Sequence, residues 1–352
     1  MKMKIMRFMF PLLIILGLLL AVINATAQDY YIIGEGPICD IELDNNPNQL
    51  IVGSAAVIYV ISSLDGAIVD TYNSDIAADD ILTGSPENDI IYEIGSHQGC
   101  SINRDTQEIE YYYLPDHFHP SFIILQDSEN LYITCMDQTI GKLGPYDKIV
   151  VYDKTDLSQE ATWPCVPFPK YGIYDSENNL IIIAEGMAHS HNPAGGRYFP
   201  AQAGIQWQSK IGWYDPSREG NLVSQVTLEG TITGLAMMSD GTVIAGLAWR
   251  TANEEGAWAS TLAIITDPIE YIDIDTYHVV AMDRDSANDR LICSLYDYQS
   301  ETGGHILVWD YDTREYSIVE AGVSQLIIIK YLDGKLYASN SKDNKVYVID
   351  ID

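Results

Sequence analysis

Histidine is the side chain that most readily changes charge or binds a metal near neutral pH, and four of the seven in this chain stand as two closely spaced pairs: His117-Phe118-His119 and His189-Ser190-His191. Two such pairs can present imidazoles to a divalent ion, with Glu185 or His278 completing the shell. A metal held there would acidify a substrate proton or a water. The cofactor this chemistry calls for is Mg2+, Mn2+, Ca2+ or Zn2+. The opposing reading is ordinary polar loop chemistry. An i, i+2 spacing aims both rings the same way only in a strand, and His117 and His119 run into Pro120 as a rigid turn would. Taken singly, His278 and His305 read as hydrogen-bonded structural residues.

A second set of residues suits ligand binding. The longest segment without strand character, residues 186–209 (GMAHSHNPAGGRYFPAQAGIQWQS), carries both His189 and His191 with Arg197, Tyr198, Phe199 and Trp207. Long ordered loops tend to be functional, and aromatic rings there can stack on a sugar or another planar ligand. Lys170, Glu185, Arg250 and Tyr296 fall at comparable places in other segments and join the candidate set. Nucleophile signatures are missing: the chain holds no G-x-S-x-G elbow, no H-E-x-x-H and no Walker loop. Acidic clusters at Asp75, Asp79 and Asp80, at Asp273 and Asp275, and at Asp283, Asp285 and Asp289 offer oxygen ligands of the kind calcium prefers. None matches the D-x-D-x-D-G loop, and turn building is the favoured reading for them. The five cysteines, Cys39, Cys100, Cys135, Cys165 and Cys293, show no metal or haem spacing and read as small buried hydrophobes.

The elements that must position these residues are short strands. Beyond Gln28, runs rich in Ile, Val, Tyr and Leu recur between Asp, Asn, Gly, Ser and Pro, with almost no helical periodicity. One unit is clear: PSFIILQ (120–126), the turn Asp127-Ser128-Glu129-Asn130, LYITCM (131–136), KIVVYD (148–153), and a fourth strand ending near Trp163. The second strand recurs as NQLIVGS, NDIIYEI, ENLYITC, NNLIIIAEG, GTVIAGLA, DRLICSL and GKLYASN, which makes seven units. They begin near positions 38, 79, 120, 170, 231, 278 and 323. Four strands per 40–50 residues is the spacing of propeller blades, and the one longer step, about 61, is explained by the long segment 186–209. The seventh unit ends after its third strand, while one spare strand, Asp29–Ile33, precedes the first. Pairing the spare strand with Val346–Ile351 completes blade seven and closes the ring, removing two open sheet edges. The expected fold is therefore an all-β, seven-bladed propeller of four-stranded antiparallel blades spanning residues 28–352. In this scheme the loops between second and third strands share one face, the top, with the links between blades. All seven histidines map to that face or its edge.

Two stretches, EYYYLPDHFHPSFIILQDSENLYIT (110–134) and PFPKYGIYDSENNLIIIAEG (167–186), resemble repeats of secreted bacterial propellers, the virginiamycin B lyase-like, YVTN and NHL types. Those carry an E-Y-x-L-P segment, then P-x-x-I, a D-x-x-G/N turn and an L-Y/W strand. The resemblance extends along the chain as a blade pattern and implies the fold. Here Asn or Asp mostly replaces the lyases' turn glycines, and nothing matches their Mg2+-binding His and acidic segment. The resemblance thus does not imply their activity.

Lys2, Lys4 and Arg7 before an apolar run to Ile23, then Ala25-Thr26-Ala27, have the form of a secretory signal over residues 1–27. The expected location is secreted or periplasmic, with no membrane span left after cleavage. A formal charge of −31 repels phosphate and excludes nucleic acid as a partner. An apolar share of 47% supports a full core. The leading functional expectation is a monomeric binding module whose top loops hold a small molecule, glycan or protein. The alternative is a metal-dependent lyase or lactonase-type hydrolase at the same place. That alternative predicts about one equivalent of bound divalent metal after purification and a thermal midpoint that rises with added metal. Metal analysis showing none, with no shift for any of the four ions, removes it.

Overall fold

A strand buried on both faces has no polar side to show, so it reads as an unbroken apolar run. Leu180–Glu185 (LIIIAE) and Gln49–Ser54 (QLIVGS) are of this kind. In the computed structural model they are the second strands of two blades, sandwiched between neighbouring sheets. The structure describes residues 29–76, 81–85, 89–95, 98–116, 118–137, 147–186, 208–251, 258–274, 277–297, 304–323, 325–340 and 342–351. The expected leader lies outside them. Among the described residues there is no α-helix, and no helix long and apolar enough to cross a membrane.

The strands form seven four-stranded antiparallel sheets. Blade one comprises Ile38–Leu43, Gln49–Ser54, Val57–Ser62 and Ile68–Asn73. Blade two comprises Ile81–Ser85, Ile90–Ile94, Gln98–Asn103 and Ile109–Tyr113. Blade three is Phe118–Gln126, Asn130–Asp137, Lys148–Asp153 and Gln159–Pro164. Blade four is Pro169–Asp175, Leu180–Glu185, Gln208–Asp215 and Asn221–Glu229. Blade five is Thr231–Met237, Val243–Thr251, Trp258–Ile264 and Glu270–Ile274. Blade six is Tyr277–Asp285, Arg290–Asp297, Gly304–Asp310 and Tyr316–Glu320. Blade seven has Leu326–Leu332, Lys335–Asn340 and Lys345–Asp350, and takes its outer strand from Asp29–Ile32. First strands touch one another in sequence around the ring, blade seven meeting blade one. The chain is a seven-bladed β-propeller, as the repeat spacing indicated. Among the described residues the core is distributed as seven apolar clusters, one at each interface between neighbouring blades.

The closing strand pairs Asp29 with Val348, Tyr30 with Tyr347, Tyr31 with Val346 and Ile32 with Lys345. Beyond it the Ile33 amide donates to Asn344 O at 2.8 Å, and Asn344 Nδ2 donates to Gly34 O at 2.7 Å. Tyr31 and Tyr337, both in blade seven, donate their hydroxyls to Ser63 O in the turn of blade one. The Tyr31 ring lies over Gly66, which holds a left-handed φ of +70°. Blade three repeats the device on blade four, with Trp163 over Gly220 at φ +67°.

Asp and Asn build the bottom turns, as their composition suggested. In Asp127-Ser-Glu-Asn, Asp175-Ser-Glu-Asn and Asp285-Ser-Ala-Asn the aspartate accepts from the amides two and three residues on. Arginines then tie blades together at this end. Arg104 of blade two reaches Asp44 of blade one at 2.8 Å, and Arg290 of blade six reaches Tyr331 of blade seven at 3.2 Å. At the seam, Lys330 of blade seven meets Glu42 of blade one at 2.8 Å, and Asp283 of blade six accepts from the Tyr331 amide. Burial raises the pKa of both carboxyls, against the opposing pull of Lys330. Burial alone would lower Lys330, but Glu42, Asp283 and Asp40 outweigh it and hold the amine above its ordinary value. All five cysteines are free thiols. Cys100, Cys135 and Cys293 are buried as expected, whereas Cys39 and Cys165 are partly exposed.

A Cβ at Gly66 would lie 2.1 Å from the Tyr31 ring, whereas one at Gly241, also at positive φ, meets nothing within 4 Å. Gly241→Ala should therefore cost the backbone strain alone, about 1 kcal/mol, and Gly66→Ala at least ~2 kcal/mol more by chemical denaturation. Equal losses in the two variants would show that the clasp of blade seven on blade one adds nothing.

Candidate binding site on the top rim

The long insertion of blade four leaves the sheet after Gly186 and returns at Gln208, and its root is fixed from three blades. The Gly186 amide donates to Phe168 O at 2.8 Å, and Gly186 bridges Ile232 at the start of blade five. Phe168, at a left-handed φ of 48°, donates its own amide to the carboxylate of Asp147, which opens the third strand of blade three. The Asp147 carbonyl accepts from the Cys165 amide at 2.9 Å. Gly186 is required here by close approach, since a Cβ would fall 2.4 Å from that of Lys170.

Around this root stand four charged side chains. Glu185 closes the second strand of blade four opposite Pro169, and its Oε2 accepts from the Lys210 amide at 3.1 Å. Burial raises the Glu185 pKa; the Lys210 amide and ammonium oppose this, and Asp147 reinforces it. Lys170 lies on the first strand with its Nζ 5.5 Å from the centre of the Tyr171 ring. Asp147 also contributes, after burial, to raising the Cys165 thiol well above its ordinary value, so that thiol is held protonated. The arrangement places two carboxyl groups and two amines at one rim, with no activated nucleophile among them. It is suited to a polar ligand bearing charges of both signs.

A second group of candidates is on blade six. His278 and Tyr296 face each other across its first two strands. Tyr296 OH accepts from Gln325 Nε2, in the link to blade seven, at 3.4 Å, while His305 packs edge-on against Tyr277 with ring centres 4.7 Å apart. His278 and His305 both lie at the top ends of their strands, as the repeat register required. His278 is 8% exposed, and burial lowers its imidazole to about 4, so it is neutral at physiological pH.

The expected site residues thus separate. Lys170 and Glu185 come together on blade four, and Tyr296 and His278 on blade six. Arg250 is in the second strand of blade five opposite Ala259, and His119 in the first strand of blade three opposite Met136; their side chains are outside the described set. His117, His189, His191, Arg197, Tyr198 and Trp207 lie outside the described residues. Among the described residues no three His, Cys, Asp or Glu side chains are grouped to hold a metal ion. Asp147 and Lys210 were not singled out from sequence. Each sits at a strand start and looks like an ordinary turn or edge charge, and only the join between blades three and four gives it a role.

No protein-family model matches this chain, and no curated protein matches it in sequence. Solved structures do match. A chain titled hydrazine synthase, from Kuenenia stuttgartiensis, superposes with a TM-score of 0.69 over 94% of this chain and 99% of that one, at 11% identity. At such identity the likeness is one of fold alone. Across all solved structures 979 chains match, too many for the architecture to specify one activity.

The His278 imidazole titrates near its ordinary 6.5 when unfolded and near 4 when folded. Protons therefore bind the unfolded chain first, and the stability due to the neutral ring is complete above pH 6.5 and lost as pH falls toward 4. The loss should reach about 3 kcal/mol. Denaturant melts at pH 7 and pH 4.5 should show a smaller difference for His278→Gln than for the unaltered chain; equal differences would refute the assignment.

Proposed function

We propose that the protein is an exported binding module that holds a small molecule, glycan or protein partner on its top face, at the blade-four insertion. The fold supports binding through loops carried on a rigid ring. The observation that carries the reading is the root of that insertion, tied to blades three, four and five and flanked by Lys170, Glu185, Lys210 and Asp147. A root fixed in this way anchors both ends of the insertion to the ring. The tip sequence adds one arginine and three aromatic residues, Arg197, Tyr198, Phe199 and Trp207, of the types enriched at binding hot spots.

The test begins with a thermal-shift screen of the mature chain against oligosaccharide, amino-acid and peptide sets. Each hit is then titrated against Lys170→Ala, Glu185→Gln and the triple change of Arg197, Tyr198 and Phe199 to Ala. The ligand of this site should lose roughly tenfold or more in affinity in each variant. Hits that bind all three variants unchanged would overturn the placement. The export half of the proposal requires that the chain recovered outside the cytoplasm begin at Gln28 by mass.

A further inference from the structure

Blades one to six stand side by side in the order in which the chain builds them. The first strands of blades seven and one come from opposite ends of the chain, and they touch nevertheless. One level of the ring marks this junction. Blades two to five fill it with Thr83, Leu125, Ile173 and Ala236, opposite Tyr92, Tyr132, Ile182 and Ile244 of their second strands. Blades six, seven and one fill it with Asp283, Lys330 and Glu42, opposite Ile292, Tyr337 and Ile51. Each of these second-strand residues packs against the following blade, which sets the seven positions in one register. Four consecutive blades are thus uncharged at this level, and the three that span the junction carry acid, base and acid.

The charges are engaged across the blades. Lys330 Nζ lies 2.8 Å from Glu42 Oε1, and the two side chains keep 25% and 28% of their exposure. Asp283 Oδ2 accepts from the amide of Tyr331, the residue after Lys330, at 2.6 Å. One short stretch of blade seven's first strand is therefore tied to both neighbours. The strand Asp29–Ile32 forms the opposite, outermost margin of the same blade.

We propose that Lys330 is an inner clasp of the ring: its ammonium joins blade seven to blade one and supplies the counter-charge for the acids that the blades on either side bring to this level. The junction then has two attachments, a backbone ladder at the outer margin of blade seven and a charge at the inner one. The clasp also marks blade one as the neighbour of blade seven, because no other blade offers an acid at this register.

The groups around Lys330 set how its loss would be felt. Glu42 and Asp40 act on it from blade one and Asp283 from blade six, while the residue opposite on blade seven is Tyr337. The neighbouring cations Arg284 and Arg290 are taken by Asp289 and Asp285. Burial raises Glu42 and Asp283 above their ordinary 4.5 and 3.8, and Lys330 is the first influence opposing it on each. Without the ammonium both carboxyls would hold a proton still more tightly in the folded chain, with the unfolded values unchanged. Stability of such a chain is full in acid and is lost as pH rises through the folded values. Removing one partner of an enclosed pair costs most where the charge left behind stays ionised.

The test is residue-resolved amide hydrogen exchange on the full mature chain at pH 5 and pH 8, corrected for intrinsic exchange. The Ile33 and Ile38 amides report the junction, since they donate to Asn344 O and Asp343 O. In Lys330→Met their protection should fall roughly tenfold or more below that of the unaltered chain at pH 8, and less than about threefold at pH 5. Adding Glu42→Gln should recover most of the loss at pH 8, because the acid that needed the ammonium is gone. Should Lys330→Met fail to fold at pH 8, the double variant is expected to fold there, with both amides within about threefold of the unaltered chain. An equal loss at the two pH values, or a double variant no better than Lys330→Met, would overturn the clasp.

Discussion

The backbone pairing of Tyr30 and Tyr31 with Val346 and Tyr347 holds the two ends of the repeat array in one sheet. A propeller has no central layer to rely on. Each blade is stabilised by its two neighbours, so the array is only as secure as its join. Here the join does more than complete a ladder. Ile33, fully buried, enters the apolar cluster between blades seven and one beside Tyr337 and Val346, and Tyr31 reaches across to Ser63. Sheet hydrogen bonds, core packing and an aromatic-on-glycine contact thus act at a single seam. The strand ends that carry the top loops are set by it, because the closed ring fixes the placement of each blade.

Charge is distributed over this frame with a division of labour. At the bottom, arginines paired to aspartates link one blade to the next, while further aspartates are consumed by turns whose amides they accept. At the top rim of blades three and four the amines are lysines, and the carboxyls of Asp147 and Glu185 accept from the backbone amides of Phe168 and Lys210. A planar guanidinium with fixed donors suits permanent ties, and a flexible ammonium suits a partner that comes and goes. In a chain with 50 acidic and 19 basic residues, two amines beside two carboxyls make this rim locally balanced against a negative background.

The architecture was legible because burial on both faces makes middle strands read as apolar runs. The turns between them use Asp, Asn and Gly for reasons of local hydrogen bonding. Blades one and five start where the pattern placed them, at Ile38 and Thr231, and blades three, four and six within two residues. Blade seven starts at Leu326, three residues beyond the expected 323, because left-handed Gly322 and Gln325 extend the preceding link through a stretch that looks apolar. The site was less legible. Lys170 and Glu185 were picked out by their topological level, a property of the repeat. Asp147 escaped notice because its significance depends on Phe168, a residue of the following blade's entry. Lys330 was passed over as one letter in QLIIIKYL, since a single lysine in a strand ordinarily faces water. Only the neighbouring blade, with Glu42, shows its partner.

Asn344 and Gly34 are 310 residues apart in the chain and in direct contact. Gly34 is synthesised long before Asn344, so the growing polypeptide holds an unsealed arc of blades until Lys345–Asp350 emerges. During that interval the flank of blade one that will receive Tyr31, and the bare edge of Lys345–Asp350 once made, are exposed to whatever extended segment is nearby. A chaperone that shields strand edges would meet a need imposed by this connectivity alone.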